Sequence, residues 1–326
     1  MDDRLEADTM SAAAPEISVV IPFYNEEENL APLLQNVLDV MRRMGRSFEV
    51  VCVDDGSRDA TFAEMARVKA GAPEMVALQL RRNFGQTAAM KAGFDAARGT
   101  LVVSLDGDRQ NDPVDIPRLI RCLEEQDVDL VAGWRRRRQD TLFSRRIPSQ
   151  IANRLIGAVT GVHVHDYGCS LKAYRADLIK NLPLYGEMHR FIPALANLYG
   201  ARITELEVTH HPRVAGTSKY NLTRTFRVVV DLLNIYFFQK FTTRPLHLLG
   251  WWGLLLFLTG LSIDLWLTVD KLVFGAQLAN RPLLLMGTLF ILVGVVLFSQ
   301  GLILELLSRT YYESQHKSTY TLRRRL

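Results

Sequence analysis

The chain has 326 residues, 23% of them charged and 48% hydrophobic, with a formal net charge of +4 at pH 7. A mean hydropathy of +0.04 is too high for a uniformly soluble protein with that many charges, so the apolar residues must be concentrated in part of the chain. Cys52, Cys122 and Cys169 are odd in number, far apart and without metal-ligand spacing. That excludes a disulfide framework, fits a reducing compartment and makes all three packing residues.

Residues 1–16, polar and alanine-rich, are expected to be a mobile tail. The first apolar run, Ile17 to Phe23, has no basic segment before it and no small-residue cleavage pattern after it. It is therefore not read as a secretory signal, and the N-terminal domain is expected to stay in the cytoplasm. The run is read instead as a strand, and Leu30, Leu33, Leu34, Val37, Leu38 and Met41 then fall on one face of a helix. Strands are predicted again at Phe48–Val53, Met75–Leu80, Leu101–Leu105 and Val128–Val131, separated by helical stretches such as Thr87–Ala97 and Val114–Glu125. This alternation predicts an α/β domain over residues 17–221, a mainly parallel sheet with helices on both faces.

Ligands on such sheets bind beyond the carboxyl ends of the strands, and the unusual polar residues lie there. Pro22-Phe23-Tyr24-Asn25-Glu26 ends the first strand, Asp54-Asp55-Gly56-Ser57 follows the second, and Arg81-Arg82-Asn83-Phe84-Gly85-Gln86 follows the third. After the fourth, Asp106-Gly107-Asp108-Arg109-Gln110 offers two carboxylates and an amide oxygen. That donor set suits Mg²⁺ or Mn²⁺ completed by substrate phosphates. Each segment alone has an ordinary explanation: a helix N-terminus, a common turn, a solvated charge, a polar cap before Pro113. Together they fit a nucleotide diphosphate with its base near Asp55 and its phosphates on a divalent ion at Asp108. Neither the Gly-x-Gly-x-x-Gly of a dinucleotide site nor a P-loop occurs in the chain.

Val20-Ile21-Pro22-Phe23-Tyr24-Asn25-Glu26, Val53-Asp54-Asp55-Gly56-Ser57 and Asp106-Gly107-Asp108 resemble the motifs of family 2 inverting glycosyltransferases of the GT-A, Rossmann-like fold. Arg82-Asn83-Phe84-Gly85-Gln86 is similar to a signature of the polyprenyl-phosphate glycosyltransferases, the group of dolichyl-phosphate mannose synthase-like enzymes. The runs Asp166 to Arg175, Phe191-Ile192-Pro193 and Ser218-Lys219-Tyr220 most resemble transferases that load 4-formamido-arabinose onto undecaprenyl phosphate. The resemblance implies that Asp55 contacts the nucleobase, Asp106 the donor sugar or ribose, and Asp108 with Gln110 the metal. Pro22, Tyr24, Glu26, Asn83 and Gln86 complete the implied donor set. It also implies that Asp166 lies near the reacting centre, as a base or as a carboxylate orienting an arginine, and that the protein is a homo-oligomer, a tetramer. One departure stands out: the family usually reads Asp-Ala-Asp-Leu-Gln, whereas this chain has Gly107 and Arg109 in place of the alanine and leucine and Asp112 in place of a common proline. Arg109 is left either on the donor diphosphate or in solvent.

A separate signal comes from the C-terminal third. Leu283 to Leu304 is 22 residues without a charge, about 33 Å as a helix, against a bilayer core of about 30 Å. Leu246 to Val269 is its partner, with Trp251 and Trp252 suited to an interfacial belt and Asp264 either near the opposite headgroups or facing the other helix. The transmembrane hairpin is expected over 246–308. Lys240 and Arg244 precede it and Arg309, Lys317 and Arg323-Arg324-Arg325 follow it, against Lys271 and Arg281 in the loop, which places both termini in the cytoplasm. Residues 309–326 read as a basic cytoplasmic tail. Residues 222–245 carry apolar positions at helical spacing and form either an interfacial juxtamembrane helix or one packed on the domain.

Arg135-Arg136-Arg137-Arg138, Arg145, Arg146 and Arg154 form a cationic cluster between donor site and membrane segments. Arginine matches phosphate bidentately, so Arg135, Arg136, Arg137, Arg138, Arg145 and Arg146, with Lys219, are the acceptor-phosphate candidates. Nucleic acid is excluded as a partner because the basic residues adjoin the spans and lack interleaved aromatics. His163, His165, His189, His210 and His211 show no third ligand at a convincing zinc spacing.

The expected protein is a multi-pass enzyme of the inner membrane. It moves a sugar, UDP-linked, from a nucleotide diphosphate to undecaprenyl or a similar polyprenyl phosphate, for cell-envelope glycan or lipid A modification. A processive polysaccharide synthase would carry Gln-x-x-Arg-Trp and more spans, both missing from the sequence. A catalytically idle membrane scaffold would not need Asp55, Asp106, Asp108 and Gln110 together.

Overall fold

The computed structural model describes residues 14–136, 157, 161–212, 245–275, 281–313 and 320–325. The chain divides into one unit of Met1–Leu232 with Ser318–Leu326 and a second of Leu233–Lys317.

In the first unit eight strands share one sheet: β1 (Ile17–Phe23), β2 (Phe48–Asp54), β3 (Met75–Leu80), β4 (Leu101–Ser104), β5 (Leu130–Trp134), β6 (Lys172–Arg175), β7 (Ile203–Glu207) and β8 (Leu322–Arg325). Their order is β7-β5-β6-β4-β1-β2-β3-β8. β1 pairs in parallel with β2 and β4, β2 with β3, and β5 with β7. β6 runs antiparallel between β4 and β5, and β8 antiparallel along β3. The mainly parallel α/β sheet expected from the alternation of elements is the sheet that forms.

Side chains alternate across it. Ile17, Val19, Ile21, Val50, Cys52 and Val103 face one cluster, under α1 (Glu27–Met44), α2 (Thr61–Ala70) and α4 (Ile116–Glu125). Val20, Val51, Val53 and Val102 face the other, under α3 (Gln86–Ala96), α5 (Ala176–Asn181) and α6 (Ile192–Leu198). Strands buried on both faces read as unbroken apolar runs, which is how they were found. All three cysteines are free and buried.

The fifth strand starts at Leu130 rather than Val128, because the turn that ends α4 uses Asp127 at φ 47 and ties the Val128 amide to the Leu123 carbonyl at 3.2 Å. The polar residue before Pro113 caps as the ordinary reading allowed: Asp112 accepts the Val114 amide at 3.0 Å. The C-terminal segment differs from a plain basic tail, since its helix continues to Glu313 and Leu322–Arg325 form β8.

The second unit contains α7 (Pro245–Phe274) and α8 (Pro282–Glu313). Leu249–Phe274 and Pro282–Leu304 are long and apolar enough to cross a bilayer, and only 17% and 11% of an apolar 18-residue stretch in each is buried. A core helix of a soluble domain would be mostly covered, so these faces are suited to lipid. The juxtamembrane residues 222–244 lie outside the described residues.

The two helices pack backbone to backbone through glycines. A Cβ on Gly253 would meet the Gly294 carbonyl oxygen at 2.7 Å, one on Gly294 the Gly253 carbonyl oxygen at 2.6 Å, and Gly260 faces Gly287 in the same way. Small residues permit this approach where no hydrophobic force drives helices together. Asp264 faces the other helix: its carboxylate sits over Gly287 and accepts Thr288 Oγ1 at 3.3 Å. Asp270 and Arg281 form an ion pair of 2.8 Å near the connecting turn. Gly294→Leu should lower the thermal midpoint of the detergent-solubilised protein by pushing the helices apart, at a cost of about 1–3 kcal/mol. Leu258→Ala, at a position 50% exposed, should leave the midpoint unchanged.

Candidate active site

Parallel pairing brings the carboxyl ends of β4, β1, β2 and β3 side by side, with Phe23 opposite Asp54 and Asp54 opposite Gln79. The segments singled out in the sequence therefore form one rim. Gln86, first residue of α3, donates Nε2 to Asp106 Oδ1 at 2.7 Å. Ser170 also bonds to Asp106, and Ser170 is itself fixed: its Oγ accepts Asn111 Nδ2 at 2.9 Å and its carbonyl accepts Ser104 Oγ. Burial, with the charge of Asp108 added, pushes the Asp106 carboxyl up to about 6.

No group of three His, Cys, Asp or Glu side chains converges among the described residues, which argues against an all-protein cage there. Mg²⁺ and Mn²⁺ do not require one, since one or two carboxylates with water and phosphate suffice. Two mutually repelling carboxylates beside an amide side chain fit such an ion. Asp108 also accepts the Gln110 amide at 3.2 Å. The departures from the family pattern have local causes. A Cβ at Gly107 would lie 2.6 Å from Phe23 Cδ1, so an alanine would clash with β1. Asp112 caps the next turn and pairs with His211 Nε2 at 2.9 Å. Arg109 sits at φ 60 and makes no hydrogen bond or ion pair with the described residues.

Around the donor rim, Asp55 is 3% exposed and its two oxygens accept the Phe84 and Gly85 amides at 2.8 and 2.9 Å. It thus organises the loop that carries Asn83, which is exposed. Pro22 places its carbonyl against Gly107, Tyr24 is partly buried, and Glu26 accepts Asn29 Nδ2 at 2.6 Å.

Asp166 grips Arg135 bidentately, from Nε at 2.7 Å and Nη2 at 3.0 Å, with side chains 3% and 10% exposed. Asp166 thus fixes the direction of the Arg135 guanidinium. Lys172, 2% exposed, donates Nζ to the carbonyls of Cys169 and Tyr167, and burial pushes its ammonium below its usual range. It thereby staples the turn that presents both Asp166 and Ser170. Arg136 is 63% exposed, 3.5 Å from Glu207 and 5.6 Å from the Trp134 ring. Arg137, Arg138, Arg145, Arg146, Arg154 and Lys219 lie outside the described residues.

The histidines go to separate partners: His165 to Glu205 at 2.8 Å and stacked on Trp134, His211 to Asp112, His189 to Thr87 at 2.7 Å. Ser170, Asn111 and Lys172 were not assigned a role from sequence. Only the pairing of Ser104 with Lys172 across β4 and β6 brings them to Asp106.

Residues 18–182 match the family described as glycosyl transferase family 2. The chain belongs to that family. Among curated relatives of this glycosyltransferase is a dodecaprenyl-phosphate galacturonate synthase of Rhizobium johnstonii, 47% identical over 94% of this chain and 92% of the relative. An undecaprenyl-phosphate 4-deoxy-4-formamido-L-arabinose transferase of Pseudomonas paraeruginosa is 40% identical over 94% of this chain and 89% of the relative. The glucosyl-3-phosphoglycerate synthase of Mycobacterium tuberculosis, solved with Mn²⁺, UDP and phosphoglyceric acid, shares the fold at a TM-score of 0.52 and 21% identity, over 68% of this chain and 78% of that one.

His189 should make the fold sensitive to acid. Burial, with Arg190 and Lys172 nearby, pushes it down to about 3 from 6.5. The folded state therefore favours the neutral ring and the unfolded chain binds the proton first. The resulting stabilisation, on the order of 3–5 kcal/mol, is complete above pH 6.5 and lost as pH falls towards 3. Thermal midpoints at pH 7 and 4.5 should differ more for the wild type than for His189→Asn.

Proposed function

We propose that this glycosyltransferase moves a sugar, with inversion, from a UDP-linked donor to undecaprenyl phosphate or a polyprenyl phosphate of similar length, at the cytoplasmic face of the inner membrane. The observation that carries this reading is identity of 47% and 40%, over 94% of the chain, to two enzymes named for joining a sugar to a polyprenyl phosphate. The two lipid-suited helices support it. So does β8, because a C-terminal strand in the same sheet as β1 fits both ends of a two-helix excursion on one side of the bilayer.

The acceptor sets the chemistry. A phosphate monoester has its second pKa near 6 and is mostly dianionic at neutral pH, so one of its oxygens attacks the anomeric carbon without giving up a proton. The new bond joins phosphate oxygen to that carbon, and the bond that breaks joins the carbon to the nucleotide diphosphate. With no base needed, Asp166 serves by aiming Arg135, and Arg136 is placed to meet an incoming anion. Asp108 and Gln110 would hold a divalent ion, which when bound would supply positive charge for the departing diphosphate. Gln86 and Ser170 hold Asp106 against the donor.

For the donor sugar we favour a hexuronic acid. The 47% relative is a galacturonate synthase, and Arg109, without a partner among the described residues, adjoins the metal motif where a guanidinium can grip a sugar carboxylate.

Membranes carrying the enzyme, given polyprenyl phosphate and a panel of radiolabelled nucleotide sugars, should release label into organic solvent from at least one donor, and Asp108→Ala should abolish it. Label that stays aqueous for every donor sinks the lipid acceptor. Arg109→Leu should cut kcat/KM at least tenfold for a uronic-acid donor while sparing the neutral hexose; equal losses would place Arg109 on the diphosphate.

A further inference from the structure

We infer that the C-terminal strand is a working part of the donor site: residues 320–325 hold the loop of residues 81–85 in the shape that receives the nucleotide. This rests on the donor reading above and adds to it a segment far away in sequence.

β8 pairs antiparallel with β3, Leu78 opposite Arg325 and Gln79 opposite Arg324, and the register shifts before Leu80 meets Leu322. The ladder continues past the end of β3. The Arg81 amide donates to the Thr321 carbonyl at 3.1 Å, and Arg81 Nε donates to the Leu322 carbonyl at 3.3 Å. Tyr320 is a second anchor. Its hydroxyl donates to Asp95 Oδ2 on α3 at 3.2 Å, and its ring packs on the same cluster as Phe84. Burial and the nearby Asp95 push that hydroxyl up to about 12, so it keeps its proton.

The loop so held is the wall of the base site. Its backbone crosses directly over Gly56: a Cβ there would lie 2.7 Å from both Arg82 Cα and the Asn83 nitrogen. Its far end is fixed by Asp55 through the Phe84 and Gly85 amides. Asp54, next to Asp55, accepts Gln79 Nε2 from β3 at 3.1 Å. Thus the loop is gripped on one side by the turn of residues 54–56 and on the other by the C-terminal strand. Without β8, β3 becomes the sheet edge, the Arg81 amide loses its acceptor, and only one side remains held.

A plain alternative is that β8 merely covers an edge, its three arginines discouraging further pairing. That role would affect stability and leave donor affinity alone. The test compares the full chain with one ending at Ser318, using calorimetric binding of UDP with Mn²⁺ and steady-state kinetics. The truncated enzyme should bind UDP about tenfold more weakly, with donor KM raised to match and the KM for polyprenyl phosphate unchanged. A synthetic peptide of residues 318–326 should restore UDP binding. If the truncated chain does not fold, full-length Tyr320→Ala takes its place and should weaken UDP severalfold. Equal UDP affinity in the full-length enzyme and either variant overturns the strand's role alone. A full-length enzyme that binds neither UDP nor GDP overturns the donor reading and this inference with it.

Discussion

Asp106, Asp108 and Asp166 gather at one end of the sheet, and taking like charges out of water together is the cost around which the site is built. Arg135 and Lys172 are the answer within the protein, because each acts on both Asp106 and Asp166. Removing one member of such a buried set leaves an uncompensated charge, typically 3–5 kcal/mol. Asp108 adds its own negative charge beside Asp106, and a divalent ion is the kind of group that two such carboxylates suit. Charge balance thus links two halves of the chain that have no local reason to meet: the motif after β4 and the turn before β6.

Much of this was legible in the sequence because doubly buried parallel strands announce themselves. β1 to β4 are apolar runs bounded by polar turns, and each polar turn proved to lie on the same rim. The two long helices were equally plain, since neither carries enough charge to be anything but lipid-facing or deeply buried. β6 and β7 were not found: Lys172–Arg175 is short and half polar, and Ile203–Glu207 is an edge strand alternating with threonine and glutamates. Their identity comes from partners at least 40 residues away, which local pattern cannot supply.

The site was legible as a set of residues and not as a network. Asp55 was expected to face a base, yet its oxygens also take two backbone amides, so the same carboxylate shapes the loop. Asp166 had two candidate roles that a sequence could not separate, and its bidentate grip on Arg135 is a contact no local pattern announces. Glycines at 253, 260, 287 and 294 fall seven apart on each helix, a spacing visible beforehand whose meaning depends on which helix lies opposite.

β8 follows both long helices in the chain, and that orders assembly. The ribosome must finish both lipid-suited helices before Leu322 to Arg325 exist, so β3 stays an open edge through most of synthesis. Closure of the sheet waits on synthesis of both helices. A nascent chain halted before Leu322 therefore presents β3 as an open edge, a template on which another chain can pair.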